Sequence, residues 1–137
     1  MEDEKEINYN FFVVVIIISL PFAIQIALNN WLLHVFSRQL DIFLSKNIEH
    51  YEIITGDSSI YVGGNGEMCG YRAAAVIFAS TPDKYFPNIA TNFEKYHFSP
   101  VHEGGSSPKR EMYKVGVYYL FIITSGPYSA NLDVRCW

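Results

Sequence analysis

The chain has 137 residues, 50% hydrophobic and 16% aromatic, with 10 Lys+Arg against 14 Asp+Glu and a formal net charge of −4. That apolar and aromatic content excludes intrinsic disorder, and the want of a basic excess excludes an electrostatic footprint for nucleic acid. Residues 1–10 (MEDEKEINYN) carry four carboxylates and one lysine, most of the net charge, so the remainder is near neutral, with no acidic tract for cations.

Phe11–Leu28 (FFVVVIIISLPFAIQIAL) is a run of eighteen residues without a charge. As a helix it spans about 27 Å, close to the hydrocarbon thickness of a bilayer. The run is apolar on every face, unlike the single stripe of a buried soluble helix. A cleaved secretory signal fits less well, because the flank is acidic and Ala23 and Ala27 stand too far apart for a small-x-small site. The sequence therefore predicts a single-pass signal-anchor helix over 11–30 behind an acidic tail over 1–10. Tyr9, Phe11 and Phe12 at one end and Trp31 at the other suit headgroup level. Pro21 should bend the helix modestly. Gln25 reads as a tolerated polar residue, with a contact to a partner helix as the sharper alternative.

The rest, 31–137, is long enough for one compact domain and no more. Asn29–Ile48 continues the helix as a stalk, with Leu32, Val35, Phe36, Leu40 and Phe43 at helical spacings. Tyr51–Thr55 and Ile60–Val62 are expected to form a hairpin around Gly56-Asp57-Ser58-Ser59. Gly63-Gly64-Asn65-Gly66 reads as a second tight turn. Met68–Ser80 is a strand with Cys69, Tyr71, Ala73, Ala75, Ile77 and Ala79 on one face, where the alanines leave room for a helix. Ser80-Thr81-Pro82-Asp83 signals a helix start. Either one helix opens at Pro82 with Pro87 near its first turns, or a short turn precedes a helix starting at Pro87. In both cases Ile89, Ala90, Phe93 and Tyr96 make its apolar stripe. Ser99–Arg110 is a polar loop. Glu111–Thr124 is expected to be one central strand covered on both faces. A turn at Ser125–Ser129 leads to a last strand, Asn131–Trp137, with Leu132, Val134 and Cys136 on one face. The fold class is α+β: a transmembrane helix continuing into a stalk, then a small antiparallel or mixed sheet with one packed helix.

Cys69 and Cys136 are the only cysteines, and an even count in predicted strands fits one disulfide in an oxidising compartment. Closing a loop of about 68 residues would contribute on the order of 4 kcal/mol. The alternative is two buried thiols. The disulfide argues for an extracytoplasmic domain. The basic residues argue weakly the other way, with Lys5 before the span and Arg38 and Lys46 after it.

Motifs for chemistry are weak. His97 and His102 lack clustered ligands, and His34 and His50 stand apart, so no metal is expected. A cysteine–histidine nucleophilic site disappears if the cysteines are bridged. Glu49 and Glu52, and Glu94 and Glu103, are not spaced as acid–base pairs. The glycine-rich turn is not followed by Lys-Ser/Thr, so it is no phosphate cradle. Lys109, Arg110 and Lys114 form a small basic cluster that reads as a solvated loop, with anionic headgroups or an acidic partner as the alternative. The layout is similar in shape to a type IV pilin, but a basic leader, a Gly-Phe junction and a membrane glutamate do not occur, and no function follows from the likeness. No catalytic residue, cofactor or metal is expected. The expected function is a non-enzymatic, membrane-anchored extracytoplasmic domain for protein–protein interaction or assembly in an envelope complex, with exposed aromatics such as Trp137, Tyr128 and Tyr85 as contacts. The alternative is a membrane-tethered small-molecule or lipid sensor with a pocket between helix and sheet.

Overall fold

A computed structural model of the chain describes residues 2–49, 51–62, 68–79, 82–129 and 131–137. Helix α1 (Glu2–Asn47) is one uninterrupted rod of 46 residues that runs through Pro21, about 69 Å long at 1.5 Å per residue. Residues 9–21 are exposed all round, and from Phe22 onward one side turns inward. Among the described residues, this is the one helix long and apolar enough to cross a membrane. The stalk continues it without a break because Phe36, Leu40, Phe43, Leu44 and Ile48 fall on one stripe and are all buried against the domain.

Strands β1 (Tyr51–Val62), β2 (Met68–Ala79), β3 (Lys109–Val115) and β4 (Tyr118–Ser129) form one antiparallel sheet in the order β1-β2-β4-β3. Helix α2 (Pro82–Lys95) links β2 to β3. The α+β class and the antiparallel sheet are as the sequence predicts. So is the alternation of β2, whose Cys69, Tyr71, Ala73, Ala75, Ile77 and Ala79 all face inward and are buried.

Four local expectations are corrected. The predicted hairpin within 51–62 is a single strand. Gly56, Asp57 and Ser58 pair with Ala75, Ala74 and Ala73 instead of turning, since small residues on both strands fit the space beside α1. The expected long strand Glu111–Thr124 is two strands folded at Gly116-Val117, and Gly116 takes φ +62°, a left-handed conformation that favours glycine. β4 is central; neither helix packs on its outer face, although Ile122 there is buried between the neighbouring strands. The strand continues through the predicted turn at Ser125–Ser129 by pairing with the start of β2. The expected last strand is a turn followed by a short 3₁₀ segment, η1 (Val134–Cys136). Pro87 lies inside α2, which resolves the two readings of that region in favour of a helix that opens at Pro82. The predicted glycine turn at 63–66 and the cap residues Ser80 and Thr81 lie outside the described residues.

The core lies between α1, α2 and the inner face of the sheet. Its centre is aromatic: the Phe43 ring sits 5.2 Å from Phe93, 5.1 Å from Tyr96 and 6.1 Å from Phe121. Gln39 clamps the loop after α2 by exchanging two hydrogen bonds with the Ser99 backbone, at 3.1 and 2.7 Å.

Candidate functional site

Three regions hold the residues from which a function can be built. The first lies where α1 meets the C-terminal segment. Asp133 is fully buried. It caps η1 by accepting a hydrogen bond from the Arg135 backbone N–H at 3.1 Å. The Arg135 side chain grips the same carboxylate with two donors, Nε to Oδ1 at 2.9 Å and Nη2 to Oδ2 at 2.7 Å. From α1, Asn29 Nδ2 donates to Asp133 Oδ2 at 2.7 Å, and Gln25 Nε2 donates to Asn29 Oδ1 at 2.9 Å. Arg135 Nη1 donates to Asn30 at 2.7 Å. The Arg135 guanidinium holds the Asp133 carboxyl down at about 2, helped by Asn29 and opposed by burial. Burial, with the nearby Asp133 charge second, pushes the Tyr71 hydroxyl up to about 12.

Beside this network Cys69 and Cys136 stand at disulfide-bonding distance, with Cα atoms 5.2 Å apart. The sulfurs and the Asp133 carboxylate lie within 4.8 Å of one another. Both carboxylate oxygens already accept donors and the sulfurs face each other, so the chemistry of this cluster is a cross-link beside an ion pair. The alternation read over 131–137 is absent here: Asp133 and Cys136 point inward, while Leu132, Val134, Arg135 and Trp137 are exposed. Gln25 finds a partner in its own chain, Asn29. Sequence reasoning missed Asn29, Asp133 and Arg135. The available signal was Gln25 and Asn29 at i, i+4 on one helix face at the end of an apolar run.

The second region is the outer face of the sheet, opposite both helices. Phe78 and Tyr118 meet there at 6.1 Å, and Val76, Tyr113, Val115 and Leu120 extend the patch. Val115 is 70% and Tyr113 49% exposed, well above what a covered sheet face shows. Glu52, Asp57, Arg72, Lys109 and Glu111 lie around it on the same face. The third region is a shallow groove of about 160 Å³ between α1 and the strands β1 and β2, lined in part by Ser37, Leu40, Asp41, Gly56 and Ser58.

The other sequence-predicted candidates do not converge. His34 and His97 are exposed on separate elements, His102 packs against Tyr128 at 4.6 Å and Tyr71 at 6.2 Å, and His50 lies outside the described residues. Glu49, Glu52, Glu94 and Glu103 stand exposed on four separate segments. The basic cluster is dispersed: Arg110 donates to the Tyr96 carbonyl at 2.9 Å and lies over Phe98, and Lys114 lies over Phe86. Trp137 is exposed, Tyr128 is half-buried in the core, and the Tyr85 side chain lies outside the described residues. No family model matches the chain, and neither a curated protein nor a solved structure does.

Proposed function

We propose that the chain is a non-enzymatic, single-pass membrane-anchored domain that faces away from the cytoplasm and holds a protein partner through the outer face of its sheet. The observation that carries this is the aromatic and aliphatic patch around Phe78, Tyr118 and Leu120, which neither helix covers. An apolar centre inside a charged rim is the anatomy of a protein interface, and contiguous apolar patches are uncommon on free surfaces. The strands run from the end near the apolar half of α1 to the end near Asn47, so this face looks sideways. The occupant it suits is a protein standing next to it in the same membrane. The Cys69–Cys136 pair favours an oxidising compartment, and this outweighs a difference of one basic residue between the two flanks of the span.

The alternative, a small-molecule or lipid sensor, has the groove between α1 and β1 as its support. At about 160 Å³ it falls short of the roughly 300–1,000 Å³ of ligand pockets, which favours the docking reading. The test is sedimentation of gently solubilised native membranes containing the wild type or a Tyr118→Lys/Leu120→Lys variant. The wild type should sediment as an assembly larger than one chain in its micelle, and the variant should fall to the single-chain position with its thermal unfolding unchanged. A wild type that sediments as a lone chain overturns the proposal. Self-association would identify the neighbour as a second copy.

A further inference from the structure

We infer that the C-terminal segment is a second membrane contact, a foot that rests in the headgroup layer beside the point where α1 leaves the bilayer. The inference rests on reading α1 as a membrane span, and goes beyond it by assigning lipid as the ligand of a surface remote in sequence. The Trp137 ring packs edge-on against Phe22 at 6.0 Å, and Phe22 lies inside the apolar run. Asn29 is joined to Asp133, and Cys136 to Cys69. These three links hold the chain end, the end of β1 and the start of β2 at the height of α1 residues 22–29.

Among the described residues, the large apolar side chains exposed at that end are Tyr61, Val62, Met68, Leu132, Val134 and Trp137, with Trp137 60% exposed. Three of the six sit on the seven-residue C-terminal stretch 131–137, where Asp133 and Arg135 are paired with each other and with α1. An exposed tryptophan beside aliphatic side chains and an arginine is the composition found at membrane–water interfaces. The network itself sets the depth. Gln25, Asn29, Asp133 and Arg135 are costly in hydrocarbon, so the hydrocarbon boundary falls near Ile24, two residues or about 3 Å along the helix from Phe22 and hence level with Trp137. The span is then shorter than the 11–30 that the sequence predicts, and Trp31 stands outside it. Lipid is the occupant because the contact of Trp137 with Phe22 joins the patch to the exposed apolar surface of α1.

The experiment uses the full chain with Trp31→Phe, which leaves Trp137 as the single tryptophan, reconstituted in phosphatidylcholine vesicles. Trp31 is exposed, so the replacement leaves the fold intact. Trp137 should emit at shorter wavelength than a tryptophan in water. It should lose more emission to lipids brominated near the headgroup than to lipids brominated at the bilayer centre or to aqueous acrylamide. A Leu132→Ser/Val134→Ser variant should shift the emission to longer wavelength and weaken the lipid quenching. If the protein floats with the vesicles through an alkaline wash but Trp137 is quenched by acrylamide and not by lipid, the foot is wrong and the span stands. Shielding from both quenchers means a protein covers the segment, which also overturns the inference. Release of the protein by the alkaline wash overturns the span and the foot together.

Discussion

At the scale of single residues, Asp133 is where the chain departs furthest from its local pattern. A carboxylate flanked by Leu132 and Val134 reads as the outward position of an alternating strand, yet it is the aliphatic neighbours that face out. Its partners explain this. Arg135 lies two residues away, but Asn29 comes from the other end of the chain, and no local pattern encodes that pairing. In the unfolded chain the carboxyl takes up its proton at about 3.8, and in the fold only at about 2. Acid therefore favours the unfolded state: the contribution, about 2 kcal/mol, is complete above about pH 4 and lost as pH falls through about 2. The stability advantage of the wild type over Asp133→Asn should shrink across that window, measured by thermal unfolding in detergent. An advantage that stays constant from about pH 5 to about pH 2 would contradict the pairing.

Among the elements, α1 serves both as anchor and as one wall of the core, and Phe43 is its deepest point. The ring is completely buried among Phe93, Tyr96, Phe98 and Phe121. Phe43→Ala should cost about 3–5 kcal/mol by loss of burial and by the cavity left behind. Hydrogen exchange in α2 should rise more than in the β2–β4 pair, because α2 meets α1 chiefly through these rings. Uniform loosening of sheet and helix would instead mean that α2 does not depend on this contact. The elements with a long regular period were legible in the sequence: α1 as run and stalk, β2 by its strict alternation, and α2 by its proline start. The β3–β4 hairpin was not, because a single glycine, Gly116, interrupts fourteen residues of strong strand formers. β1 is not legible as one strand because Gly56, Asp57, Ser58 and Ser59 have turn chemistry, and only the alanines of the strand opposite explain why they stay extended.

For the whole molecule, the chain makes a closed circuit. α1 leads away from the apolar end, β1 returns to it, β2 leaves, and β4 comes back so that the last residues meet α1 again. Cys69 and Cys136 close that circuit. In intact cells neither cysteine should react with a maleimide until a membrane-impermeant reductant is added, after which both should label from outside. Labelling without reductant, seen only once the membrane is opened, would place the domain in a reducing compartment. The candidate docking face was legible only in part. Its apolar residues were visible in the sequence, but their run along β4 does not show that both helices pack on the opposite face.

The fastening of the C-terminal turn to α1 also decides how the domain would bear mechanical load. A pull transmitted from the bilayer along α1 reaches the domain first at Phe22, Gln25 and Asn29, where the last residues of the chain are clasped. The force then passes through Cys136 into β2, the strand against which α1 lies. Tether and sheet are thus loaded side by side, in shear along their shared length. The rows of hydrogen bonds between the strands are not opened one at a time from an edge.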